Sequence, residues 1–248
     1  MQEVTGEVYE RVLPHAQAAL KGELVTWELQ RELHGRQYTL HMTYMPDRDG
    51  SDRIIGYYVL SYDITRMKQV EHELDLLAHH DSLTGLANRR QFDDTFAQAI
   101  ARHIVNKEPL ALIFLDVDHF KQINDTLGHP VGDRVLQEFA RRLRETLHGS
   151  DFLARLGGDE FVVLIEDAEQ PEQLDSVGRR LRNAMLPSFA IDDRNVAVTT
   201  SIGIGFWSRP GCTMDALLDL ADQALYEAEA AGRNTWRVAV ADAAVEPG

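Results

Sequence analysis

Residues 155–165, RLGGDEFVVLI, set two glycines and two carboxylates side by side inside a stretch that otherwise alternates like a β-hairpin. Gly157 and Gly158 cost conformational entropy that a plain hairpin would avoid, and they let a backbone approach a bulky ligand closely. The tip therefore carries two anions, Asp159 and Glu160, where a turn needs none. Asp116 and Asp118 close the apolar run LALIFLDVD, and if that strand continues, both side chains point to one face at an exposed sheet edge. Were the hairpin to pair beside that strand, several carboxylates would converge with no Lys or Arg adjacent in sequence, the arrangement a hard divalent cation requires. Taken alone, Asp116 and Asp118 read more simply as a solvated acidic rim; the paired glycines favour the metal reading. A second polar cluster, INDTLGHPVGD at 123–133, follows the same strand. Asn124 and Asp133 can read a purine edge, because a carboxylate accepts from both N1–H and the 2-amino group of guanine, and adenine offers no such donor pair. Taken singly, Asp133 reads more readily as a helix N-cap and Asn124 as a turn residue.

Such residues need elements to hold them. Phe92, Phe96 and Ile100 mark a helix, and LALIFLDVD suits a strand buried on both faces. Val135, Phe139, Leu143 and Leu147 give a second helix, FLAR and FVVLI the hairpin, and Leu174, Val177, Leu181 and Ala184 a third helix. VAVTTSIGIGF reads as a strand, DALLDLADQALYEAEAA as a helix closed by Gly232, and NTWRVAV as a last strand. This order predicts an α/β (α+β) sandwich whose central sheet is largely antiparallel. Upstream, QYTLHMTYMP and RIIGYYVLSYDI flank the turn cluster DRDGSD and predict a small sheet. Between the two regions Met67, Val70, Leu74 and Leu77 form an a/d seam. That helix either packs on its own domain or pairs in parallel with a second copy.

Bulk properties exclude other classes. The chain has 248 residues, 44% apolar and 26% charged, enough for one to two domains. A formal charge of −15 leaves no basic face to displace counterions, so nucleic acid is not an expected partner. No run approaches the roughly 20 apolar residues of a membrane span, and MQEVTGEVYE lacks the order of a signal peptide. The lone Cys212 has no partner for a disulfide or a metal, which suits a reducing cytoplasm.

Five segments in order, DSLTGLANRR, FLDVDHFKQINDTLGHPVGD, RLGGDEF, SIGIG and ALYEAEAAGRN, resemble the GGDEF family, the diguanylate cyclases, over roughly residues 78–240. The preceding GYYVLSYDITRMKQVEHEL resembles the last strands and exit of a PAS sensor domain, of which about the C-terminal half is represented, so neither haem nor flavin is expected. The expected organisation is a PAS-like segment over 1–66, a signalling helix over 67–80, a cyclase domain over 81–240 and a tail over 241–248. The resemblance implies a palm-like nucleotidyl-cyclase fold and a homodimer that condenses two GTP into cyclic di-GMP, releasing two pyrophosphates. It implies that Asp116, the Val117 carbonyl and Asp159 hold Mg²⁺, with Mn²⁺ as an alternative, and that Glu160 is a metal ligand or proton acceptor. Asn124, His129 and Asp133 would bind guanosine, with Leu83 and Leu136 as apolar walls for the base. Lys121, Arg233 and backbone amides near His119 and Phe120 would receive the β and γ phosphates. Two positions depart from the family pattern. Glu229 stands where a Lys is common, which would weaken triphosphate binding, and His148 replaces the Arg of the Arg-x-x-Asp product-inhibition site, whose Asp151 is kept. The alternative functions are a catalytically inactive module that keeps GTP or cyclic di-GMP, and a dimerising signal relay.

Overall fold

The computed structural model describes residues 6–166, 168, 170–208 and 211–241, so of the expected tail only Ala241 lies among the described residues. The chain divides into two compact units, Met1–Leu76 and Leu77–Gly248.

In the first unit, α1 (Gly6–Leu20) precedes three strands, β1 (Val25–Leu33), β2 (Arg36–Arg48) and β3 (Ile54–Asp63), paired antiparallel in the order β1-β2-β3. The expected turn DRDGSD sits at the β2–β3 connection. Helix α1, which carries Pro14 in its interior, is not among the elements that the sequence pattern predicts. Its Ala16 and Ala19 are buried with Tyr44, and their small size lets the helix approach the sheet beside Val25, Trp27 and Met42. The next helix, α2 (Thr65–His79), begins where Asp63 Oδ1 accepts from both the Thr65 amide (2.9 Å) and its hydroxyl (2.6 Å). The seam residues Met67, Val70, Leu74 and Leu77 are between 45% and 66% exposed, so the apolar face of this helix stays largely uncovered.

The second unit is built on a five-stranded sheet in the order β10-β9-β4-β6-β5. Its strands are β4 (Leu110–Val117), β5 (Phe152–Gly157), β6 (Glu160–Ile165), β9 (Thr200–Trp207) and β10 (Trp236–Val240), and only the β9–β10 pair is parallel. The apolar run of β4 is explained by burial on both faces. Ala111, Ile113, Leu115 and Val117 enter one core with Val135, Leu136, Phe139 and Leu143 of α5 (His129–Thr146) and Leu174 and Leu181 of α6 (Pro171–Met185). Leu110 and Leu112 enter the other with Phe92 and Phe96 of α3 (Arg89–Asn106) and Leu217 and Ala221 of α7 (Met214–Ala230). The fold is thus a mixed α/β sandwich with a mostly antiparallel central sheet and helices on both faces, as the sequence order predicts.

The strand expected from Val196 begins only at Thr200, because Phe189–Ile191 and Arg194–Val196 form a separate small hairpin, β7–β8. Arg142 of α5 fastens it, donating to the carbonyls of Ala184, Pro187 and Ser188 with its guanidinium 3.9 Å above the Phe189 ring.

Candidate active site

β4 and β6 pair so that Asp116 stands directly opposite Glu160, and the connection from β5 turns through Gly158 and Asp159. The turn needs its glycines: Gly157 and Gly158 have φ of 142° and 55°, backbone that a side chain would strain. The hairpin tip therefore comes to rest beside the end of the central strand, as the convergence of carboxylates requires.

Alternation along β4 fixes where Asp116 points. Residues 110, 112 and 114 face α3 and α7, so Asp116 faces them too, at the rim. The α7 helix lies unusually close to β9, since a Cβ on Gly203 would stand 2.2 Å from the Leu225 amide and 2.3 Å from the Ala221 carbonyl. A Cβ on Gly205 would meet Ala221 and Leu217 in the same way. Each two-residue step along β9 thus matches a four-residue step along α7, which brings Glu229 level with Ser201, the β9 partner of Asp116. Burial pushes the Asp116 carboxyl up to about 7, and the charges of Asp159, Glu229, Asp118 and Glu160 add to the effect.

Two-residue spacing from Asp116 makes Asp118 a candidate metal ligand, and the structure corrects this. The strand ends at Val117, and Asp118 is buried with its oxygens accepting from Ser201 Oγ (2.6 Å), Thr199 Oγ1 (2.6 Å) and the Asn234 amide (3.0 Å). It pins the loop that carries Arg233, whose φ is 65°.

The α4 helix (Phe120–Leu127) starts at His119, in left-handed backbone and without a side-chain cap, leaving first-turn amides and Lys121 beside the end of β4. Asn124 is helical rather than in a turn, and Asp133 lies in the second turn of α5, whose N-cap is Gly128. Neither the turn nor the N-cap reading therefore accounts for these two residues. Asn124 Oδ1 is buried and unpaired against Gly132, and Asp133 and His129 are exposed nearby on α5. Leu83 is half-buried at the edge of the core, its carbonyl accepting from Gln137 Nε2 (3.1 Å). Leu136 is only 2% exposed and belongs to the core, so it supports this region from beneath and offers no surface of its own.

The region answering to a product-inhibition site is a separate cavity of about 420 Å³ lined by His148, Asp151, Val177 and Arg180. The His148 amide donates to Asp151 Oδ2 (2.8 Å), and its Nε2 lies 3.3 Å from Arg180 Nη1. Sequence reasoning misses Arg180, which has no neighbour in the chain to mark it.

No three His, Cys, Asp or Glu side chains among the described residues already stand together as a metal cage. The crowded carboxylates around Asp116 nevertheless fit a hard divalent cation, because the ion pairs of the described residues bring only Arg89 to them, 3.5 Å from Glu160.

The family model for the diguanylate cyclase GGDEF domain matches residues 78–235. Over 172 residues the chain is 40% identical to MucR of Pseudomonas aeruginosa, a bifunctional diguanylate cyclase and cyclic di-GMP phosphodiesterase, covering 69% of this chain and 25% of MucR. The GGDEF-domain structure of TpbB from the same organism superposes with a TM-score of 0.62 at 39% identity, covering 65% of this chain and 94% of that one. The coiled coil and GGDEF domain of DgcB from Caulobacter crescentus, solved with cyclic di-GMP, superposes with a TM-score of 0.64 at 31% identity, covering 72% and 93%. The chain spans about a quarter of the length of the first curated relatives it matches.

Proposed function

Because the chain belongs to the GGDEF family, we propose that it is a diguanylate cyclase, converting two GTP into cyclic di-GMP and two pyrophosphates. The observation that carries this reading is the pairing of Asp116 with Glu160 across β4 and β6, with Asp159 on the adjoining turn. Asp116, the Val117 carbonyl, Asp159 and Glu160 are the groups that would hold Mg²⁺, or Mn²⁺ in its place. The cation, when bound, offsets the negative charge that develops on the transferring phosphoryl group.

This chain's residues supply the rest. Asn124, His129 and Asp133 hold guanosine from α4 and α5, with Leu83 as an apolar wall and Leu136 behind it. The first-turn amides near His119 and Phe120, with Lys121 and Arg233, receive the β and γ phosphates. Each ribose 3′-oxygen attacks the α-phosphorus of the other GTP, the bond to pyrophosphate breaks, and the 3′ proton passes to Glu160 or Asp159. Two copies must face each other, because one chain presents one guanosine site. The exposed α2 seam supports a parallel helix pair between copies, with the PAS-like segment upstream as the regulating element.

One observation favours a second reading, a GTP- or cyclic di-GMP-binding relay: Glu229 lies level with Asp116, where a cation would assist the triphosphate. Purified protein incubated with GTP and Mg²⁺, followed by chromatographic separation of nucleotides, decides between them. Cyclic di-GMP formed at a rate rising more than linearly with protein concentration supports the enzyme. No product over a wide concentration range leaves the relay.

A further inference from the structure

The segment DSLTGLANRR (81–90) has little part in the chemistry above beyond Leu83, yet it makes the contacts that hold the acidic turn. Arg155, at the start of RLGGDEF, has a side chain only 10% accessible. Its Nη1 donates to both oxygens of Asp81 (2.8 and 3.0 Å), while Nε and Nη2 both donate to the Gly158 carbonyl (3.0 and 2.6 Å). All three guanidinium nitrogens are thus committed, one edge to the segment and one to the turn.

Asp81 is itself fixed. Its Oδ1 accepts from the Thr84 amide (2.9 Å) and hydroxyl (2.6 Å), and its amide donates to the Leu86 carbonyl (2.8 Å). The Arg155 amide donates to the Ala87 carbonyl (2.9 Å), so segment and strand are joined through backbone as well. The neighbouring Asn88 reaches the end of α2, its amide donating to the His79 carbonyl (2.9 Å) and its Nδ2 to the Ala78 carbonyl (3.0 Å). Arg89 adds a bond from Nε to the Leu156 carbonyl (3.3 Å). The register of β5 against β6 slips between Arg155 and Gly157, so ladder pairing alone does not set the turn. The grip on the Gly158 carbonyl, one peptide before Asp159, adds a fixed point at the turn itself.

We propose that Arg155 is a positioning residue for Asp159 and Glu160, acting through the Gly158 carbonyl and anchored by Asp81. This rests on the assignment of those two carboxylates to metal binding and proton transfer. A planar fork is required, because an ammonium at the same place cannot hold the Asp81 oxygens and the Gly158 carbonyl in one fixed plane.

The test compares the full chain with Arg155→Lys, which keeps the charge beside Asp81, and with the double variant Asp81→Asn/Arg155→Met, which leaves no orphaned charge. Amide hydrogen exchange over 156–161, in protein without nucleotide, should quicken about tenfold in both, while β4 and β9 keep their protection. The Mg²⁺ concentration for half-maximal cyclic di-GMP synthesis should rise about tenfold or more. Metal-free affinity for GMP should stay within about twofold, since Asn124 and Asp133 stand on other elements, whereas general unfolding would remove it. Unchanged exchange in the turn overturns the proposal, and so does faster exchange with an unchanged Mg²⁺ requirement. Should the unsubstituted protein make no cyclic di-GMP, the enzyme reading falls by itself, and the exchange experiment still decides whether Arg155 holds the turn.

Discussion

Replacing Gly132 by alanine places a methyl group where the Asn124 side chain already lies. A Cβ at 132 would stand 1.9 Å from Asn124 Oδ1, 3.0 Å from its Cγ and 3.3 Å from Phe120 Cζ. Carbon contacts are comfortable at about 3.5 Å or beyond, so the overlap with Oδ1 exceeds about 1 Å and cannot be absorbed by small shifts. The α5 backbone is held by Val135, Leu136 and Phe139 in the core, which leaves the Asn124 side chain as the part that moves. Two effects follow. Overpacking should cost about 1–3 kcal/mol of stability, read as a lower urea midpoint. Loss of the Asn124 hydrogen bonds to guanosine should cost about 1–3 kcal/mol more in kcat/KM, or about 5- to 150-fold. The assay is steady-state synthesis from GTP on Gly132→Ala, Asn124→Ala and the double variant. In the Asn124→Ala background the colliding Oδ1 and Cγ are gone, so Gly132→Ala should then have little further effect, a strongly non-additive cycle. A single Gly132→Ala with kcat/KM within about twofold of the parent, or a cycle that is additive, would refute the placement of Asn124 in the purine site.

Glu229→Lys should lower the KM for GTP by about 5- to 150-fold, the equivalent of about 1–3 kcal/mol at an effective dielectric near 20, and less in high salt; an unchanged KM in steady-state kinetics counts against the role given to this charge. Cyclic di-GMP should inhibit weakly or not at all through the His148 cavity, because Arg180 offers one guanidinium where an arginine in place of His148 would add a second. Titration calorimetry with His148→Arg should show tightened product binding, and micromolar binding by the unsubstituted protein would contradict this. Hydrogen bonds from Arg141, helped by Arg142, hold the Glu138 carboxyl at about 2 against an ordinary 4.5, although burial opposes them. Its stabilising effect is therefore full above about 4.5 and drains away as pH falls toward 2, so Glu138→Gln should flatten the acid limb of urea midpoint against pH.

How much of this is legible in sequence follows from where the signals lie. The continuous apolar run 110–115 suits a strand covered on both faces, and the alternation around Gly157 and Gly158 suits a hairpin; once the two pair, Asp116 meets Glu160, as the structure has it. Asp118 misleads because two-residue spacing gives the direction of its side chain and not its partners: it does lie on the Asp116 face, where Ser201, Thr199 and Asn234 already occupy its oxygens. Its three donors come from Thr199, Ser201 and Asn234, more than eighty positions away, and no local pattern announces them. Arg155 escapes notice for a related reason: a charged residue inside an alternating stretch reads as the solvent-facing member, whereas its head is enclosed by Asp81 and Gly158. Helix α1 hides behind Pro14 and small alanines, and three-residue strands such as β7 and β8 are too short for any periodicity to show. Leu136 sits at helical spacing that marks the core as strongly as it marks a ligand wall, and the core is where it lies.

The close approach of α7 to β9 ties these observations to the electrostatics of the site. With the Leu225 amide and the Ala221 carbonyl packed where a Cβ on Gly203 would lie, α7 rests directly on β9, and that contact carries Glu229 to the level of Asp116 whatever its charge. A Lys there would share the neutralisation of the phosphates with Lys121 and Arg233; a Glu adds to the anionic charge that, on top of burial, pushes Asp116 up to about 7. Among the described residues, ion pairs bring only Arg89 to these carboxylates. For a cation that binds there as proposed, the rigidity of the turn gripped by Arg155 then determines whether Asp159 and Glu160 are already in place to meet it, or must be drawn together at the expense of affinity.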